Sequence, residues 1–186
     1  MKRLLILLTV LCLSLLSCPA LCSGEESYLC TDSDALEMDD FSIVLPKGTR
    51  YELTEKVYED VFLTVYPDSA TGGVRENFQV SWYGHPLTGD VQSVAREWVR
   101  MDAEALQYMK EMGLRVLYFR SHDAREAVMA GERCIIIDHT SKVGLSEISQ
   151  RTVYFLDRGY DITLTAYGKD RLERMYDMLD QSLIWS

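Results

Sequence analysis

The sequence predicts an α+β fold, and three observations predict it. Runs of alternating apolar and polar residues recur along 41–167, the signature of strands with one face buried. Two stretches, 91–112 and 170–184, repeat apolar residues every three or four positions, which lays one apolar stripe along a helix. The last two strands, 149–156 and 161–167, flank the short turn Asp157-Arg158-Gly159, so they form a hairpin.

The elements follow in order from these rules. FSIVLPKG, 41–48, is a strand with Phe41, Ile43 and Leu45 on one face, and Pro46 and Gly48 end it. An extended piece at 51–57 precedes 59–66, where Val61, Leu63 and Val65 alternate with Phe62, Thr64 and Tyr66 until Pro67. PDSATGG, 67–73, is a turn-rich loop. The strand 77–83 carries Phe78, Val80 and Trp82 on one side and closes at Gly84-His85-Pro86.

Asp90 then caps a helix whose stripe is Val91, Val94, Trp98, Met101, Ala105, Met109 and Met112. Gly113 stops it. A strand at 114–119 and a polar stretch at 121–131 lead to 133–139. Cys134-Ile135-Ile136-Ile137 is dense enough to predict burial on both faces and a central place in the sheet. A loop at 141–147 enters the final hairpin. Gly168 breaks its second strand, and Asp170 opens the last helix with Glu173 at capping-box spacing. Leu172, Met175, Tyr176, Leu179 and Leu183 share that helix's apolar face.

At 186 residues the chain fits one domain. Residues 1–23 read as a signal peptide: Lys2 and Arg3 precede an apolar run from Leu4 to Leu16, too short for a membrane span. Two processing routes compete. Leu15-Leu16-Ser17-Cys18 has the form of a lipobox, which would make Cys18 a lipidated N-terminus. Cleavage near Ser23 would release the domain instead. Residues 24–40 are an acidic linker, and 41–186 are the folded domain. The formal charge of −10 becomes −12 once Lys2 and Arg3 leave. An acidic domain repels nucleic acid and anionic lipid. The expected address is extracytoplasmic, secreted or membrane-anchored, with membrane contact only through the lipid anchor, and the expected state is monomeric.

Candidate chemistry is sparse. Cys30 and Cys134 are a candidate disulfide pair in an exported chain; the alternative makes Cys134 a small buried hydrophobe. His85, His122 and His139 lack metal-ligand spacing, and the acids of 24–40 lack a calcium-loop register. Ser121-His122-Asp123 holds triad residue types, but neighbours in sequence cannot converge as a relay. The acidic pairs Glu59/Asp60 and Asp157/Asp161 sit at strand ends, where acids are commonly solvated. No catalytic, cofactor or metal residue is therefore nominated. Eleven tyrosines and three tryptophans leave a candidate interaction surface, with Tyr83 and Tyr167 its plausible exposed members.

The order of elements, FSIVLPKG, MAGERC before the dense strand, and the tail QRTVYFLDRGYDITLTA with a helix ending DQSLIWS resemble the PsbP-like superfamily. That group includes the extrinsic photosystem II protein, a Ran-binding nuclear import factor and DcrB-like bacterial lipoproteins. Tyr160, Thr163 and Ser182 match its C-terminal pattern loosely. The resemblance implies an antiparallel β-sheet sandwiched by helices and a non-catalytic interaction domain. It does not extend to photosynthesis, since no chloroplast transit peptide is present and the chain is not basic. The leading expectation is an exported or lipid-anchored domain that acts on a protein or cell-envelope component. The alternative is a small-ligand carrier with a pocket between sheet and helix; a hydrolase comes third.

Overall fold

A computed structural model describes residues 26–30, 34–67, 76–113, 116–143 and 146–186. The period-two runs assemble into one eight-stranded antiparallel sheet, in the order β1-β4-β5-β6-β10-β9-β8-β7. These strands are β1 (Glu26–Leu29), β4 (Arg50–Leu53), β5 (Val61–Tyr66), β6 (Asn77–Trp82), β7 (Val116–Met129), β8 (Glu132–Val143), β9 (Ser146–Phe155) and β10 (Tyr160–Ala166). A second, three-stranded sheet contains β2 (Asp34–Glu37), β3 (Phe41–Leu45) and β11 (Leu183–Trp185), with β3 in the middle. The two helices are α1 (Val91–Glu111) and α2 (Lys169–Ser182). The expected α+β architecture, an antiparallel sheet between helices, is what the chain builds.

Alternation gives the large sheet two faces of different character. On one face Phe78 and Val80 of β6, Val153 and Phe155 of β9, and Ile162 and Leu164 of β10 are buried. They share one core with Phe41, Ile43 and Leu45 of β3 and Leu172, Met175 and Leu179 of α2. The intervening residues turn to the other face. There Trp98 and Met101 of α1 pack on Ile135 and Ile137 of β8. Asp90 caps α1: its carboxylate accepts from the Ser93 N–H at 2.7 Å, and its own N–H donates to Ser93 Oγ at 2.9 Å.

Several expectations are corrected. The stretch read as an acidic linker contributes β1 and β2, because its few apolar residues are enough to pair it with β4 and β3. β8 is not central; it lies one strand from the β7 edge. Its apolar density has another cause: α1 covers Ile135 and Ile137, while Cys134 and Ile136 point into the larger core. The segment 114–131 holds one long strand, β7, whose register shifts between Ser121 and Ala124, and β8 and β9 continue as a hairpin through most of 141–147. The last helix ends at Ser182 rather than Ile184, and Leu183 and Ile184 instead pair with Ile43 and Ser42. The capping box at its start does not form. Gly168, at φ 81°, is the N-cap, and Glu173 turns to Arg151, accepting at 2.8 and 2.9 Å. The signal peptide and Cys18 lie outside the described residues.

Candidate functional site

The face under α1 does not close. α1 leans toward β7 and β8, and a cavity of about 340 Å³ remains between it and the β6, β10 and β9 strands. The floor is made by the residues that alternation turns away from the core: Gln79 and Ser81 of β6, Asp161 and Thr163 of β10, Gln150 and Tyr154 of β9, and His139 of β8. The roof is the first half of α1, with Ser93, Val94, Glu97, Trp98 and Met101. Glu59, Val61, Tyr83, Leu87, Thr88 and Leu156 complete the walls.

The 83–87 segment is fastened at both ends. The Tyr83 N–H donates to Gly159 O at 2.9 Å and the Leu87 N–H to Leu156 O at 2.7 Å. Gly159 is required twice: its φ is 69°, and a Cβ there would lie 2.2 Å from His85 O. The hairpin turn and the cavity wall are therefore built against each other.

Polar contacts link the residues of the floor. His139 Nε2 lies 3.0 Å from an Asp102 oxygen, and Nδ1 lies 3.1 Å from Gln150 Oε1. Gln150 Nε2 donates to Thr165 Oγ1 at 3.1 Å, and the Thr152 and Thr163 hydroxyls meet at 2.9 Å. Trp98 Nε1 donates to the Tyr154 hydroxyl at 2.7 Å, which ties roof to floor.

Asp161 is the exception to this mutual satisfaction. It is 7 % exposed and accepts from the hydroxyls of Tyr83 and Ser81, yet among the described residues no cationic side chain pairs with it. Burial pushes its carboxyl up to about 6, against the opposing pull of those two hydrogen bonds. Gln79, 8 % exposed, has a side-chain carbonyl with no hydrogen-bond partner among the described residues. A buried carbonyl without a donor costs free energy unless something supplies one.

On the core side of the same strands the charges are paired. Arg151 donates to Asp138 at 2.6 and 3.2 Å as well as to Glu173, and its guanidinium lies 4.6 Å from the Tyr176 ring centre. Glu173 is held below the usual carboxylate range by its hydrogen bonds from Arg151. Burial works against the Asp138 carboxylate, but Arg151 and Arg125 outweigh it and lower its pKa. At the other end of the core, Lys56 donates to Asp40 at 2.9 Å and lies 4.8 Å from the Trp82 ring centre. The Tyr160 hydroxyl also donates to Asp40.

The structure separates the residues singled out in the sequence. Tyr83 enters the cavity wall through its bond to Asp161. Tyr167 is half-buried past the opposite end of β10, where its N–H donates to Glu76 at 3.3 Å, so the two tyrosines share no patch. Cys30 and Cys134 are both buried in the larger core, and no disulfide joins them. Burial pushes the Cys134 thiol up to about 11, which suppresses its thiolate. His85 packs its ring edge-on to Tyr58. His139, expected at a strand end, is buried within β8. The His122 side chain lies outside the described residues. Asp161, expected to be solvated, sits at the cavity floor instead. Its position after a turn concealed this, and only its place opposite Ser81 in the period-two pattern could have signalled it. Among the described residues no three His, Cys, Asp or Glu side chains gather to hold a metal ion.

No protein-family model matches the chain, and no curated protein matches it. Among solved structures it is similar to the solution structure of cyanobacterial PsbP (CyanoP) from Synechocystis sp. PCC 6803. The TM-score is 0.51 and the identity 17 %, over 92 % of this chain and 99 % of that one. The chain has the PsbP-like fold. At this identity the likeness extends to the fold alone, so function must come from the site. The PsbP-like sheet here offers one filled face and one face with a polar-floored cavity. Among the described residues no helix is long and apolar enough to cross a membrane.

Proposed function

We propose that this PsbP-like domain is an exported, non-catalytic binding protein that carries a small molecule between α1 and the sheet. The observation that carries the reading is the cavity itself. At about 340 Å³ it falls within the range of ligand pockets, with apolar walls and a few polar groups converging on its floor. Export rests on the Lys2-Arg3 start and the apolar run behind it; membrane attachment would come through lipidated Cys18.

The non-catalytic part is supported by the setting of His139, which is buried. His139 Nε2 lies 3.0 Å from an Asp102 oxygen and Nδ1 lies 3.1 Å from Gln150 Oε1, so both ring nitrogens face oxygens of the protein itself. A second reading, docking to a protein or envelope component, is favoured by exposed apolar side chains on and just after α1. Val99 is 60 % exposed and Met112, the C-cap, 61 %.

The test is a fragment titration followed by amide and indole NMR. Carriage predicts shifts confined to Trp98, Tyr154, Gln79 and their neighbours, abolished by Val94→Trp in a protein that still melts cooperatively. Shifts confined to Val99, Tyr108 and Met112 would replace carriage with docking.

A further inference from the structure

We infer that the ligand is a small organic cation, an amine with an apolar body whose ammonium seats between Asp161 and Gln79. The inference rests on the carrier reading above and names the chemistry that the cavity selects.

The floor is asymmetric in hydrogen-bonding capacity. Asp161 and Gln79 are diagonal neighbours on paired strands, since Asp161 faces Ser81 and Thr163 faces Gln79 in the β10–β6 register. Diagonal partners on one face of a sheet stand about 7–8 Å apart, close enough for side chains that lean together to hold one guest group. One is a carboxylate whose partners are hydroxyls; the other is a carbonyl with no donor. Both accept, and both are more than nine-tenths buried. A ligand that satisfies both must donate, and one that also neutralises Asp161 must be positive. An ammonium does both through its several N–H groups.

Charge around the cavity agrees. Three carboxylates, Glu59, Glu97 and Asp161, contribute to its lining, and no lysine or arginine does among the described residues. Glu97 is partly claimed by Arg100, which donates to it at 2.5 and 3.1 Å, Glu59 is only half-buried, and Asp161, 7 % exposed, is the carboxylate at the floor. An anion would be repelled. The walls suit a cation with a carbon skeleton: Trp98, Tyr154 and Tyr83 present aromatic rings, which attract cations through their faces, and Val94, Leu156 and Met101 cover the apolar remainder. A bare metal ion is not served, because among the described residues Asp161 has no second and third carboxylate or imidazole gathered with it.

The experiment compares matched molecules by isothermal titration at pH 7.5, where Asp161 is ionised. The aromatic set is phenethylamine, 2-phenylethanol and phenylacetate; the aliphatic set is hexylamine, hexanol and hexanoate. An amine should bind about tenfold or more tighter than its alcohol, with the acid weakest of the three. Asp161→Asn should erase the preference for amine over alcohol while leaving the alcohol's affinity in place. Gln79→Leu, which removes the carbonyl at nearly constant size, should weaken the amine alone. Equal binding of alcohol and amine, or tighter binding of the acid, overturns the cation inference and leaves the carrier reading standing. Failure of all six to bind a cooperatively folded protein overturns both.

Discussion

The two faces of the central sheet use the same strands to opposite ends. Toward α2 and the small sheet, successive buried residues are Phe78, Val80, Val153, Ile162 and Leu164, each 0 % exposed. Toward α1 their immediate neighbours are Gln79, Ser81, Thr152, Asp161 and Thr163. The first face buries an apolar core against α2 and the small sheet, and its charges Asp138, Arg151 and Glu173 are held as pairs. The second retains empty volume, a carboxylate without a cationic partner and a carbonyl without a donor. One face holds the fold together; the other holds polar groups whose hydrogen-bonding capacity the described residues do not fully use. The difference teaches that burial alone does not mark a core, since Asp161 is nearly as hidden as the residues that stabilise the sheet.

The sharpest way to break this contrast is to truncate adjacent residues that face opposite ways. Leu164→Ala, on the filled face, should cost about 2–5 kcal/mol through lost burial and a residual cavity. Thr163→Ala, one residue away, should cost less than about 1 kcal/mol, its lost bond to Thr152 being a single neutral one. Urea denaturation of both variants measures the difference. Equal losses would mean that the two faces are not distinct.

The next effect concerns Asp161. Its carboxyl titrates near 6 in the folded chain, above the ordinary 3.8, so the folded state holds this proton more tightly than the unfolded one. The group's contribution is therefore most favourable below about pH 4. It falls as pH rises toward 6, by about 3 kcal/mol in all. Asp161→Asn should remove that descent and stabilise the protein at pH 7.5, with melting across pH 4–8 as the measurement. A variant less stable than the parent at pH 7.5 would place Asp161 among the stabilising residues.

The smallest effect sharpens the account of the roof. Asp90→Ala should cost about 1 kcal/mol by leaving the first turn of α1 uncapped. Hydrogen exchange should quicken at the start of α1, over the cavity, and stay unchanged in α2. Quickening throughout would make α1 part of the packed body and not a cover resting on one side of it.

How far the sequence reached follows the same division. Period-two runs and the Trp98–Met109 stripe were readable because each is a local regularity repeated many times. The Asp90 cap and the Gly159 turn were readable because few residue types satisfy those backbone positions. β1, β2 and β11 were not: four or three residues carry too little pattern to compete with a linker or a helix end, and partner strands supply their reason to exist. The capping box at Asp170 failed for a related reason. The spacing was right, but Arg151, distant in sequence, gave Glu173 a better partner.

By itself the sequence determined the α+β class, the two helices, the C-terminal hairpin and the apolar residues of the filled core. It did so because those features arise from side-chain periodicity and backbone preference within a few residues. Tertiary structure alone decided that α1 leans to one side and leaves volume beneath it. It also decided that Asp161 and Gln79, eighty-two positions apart, share that floor, the first without a cationic partner and the second without a hydrogen-bond donor among the described residues. A cavity is a relation between elements, set by where one helix rests on a sheet, and no local run of residues encodes it.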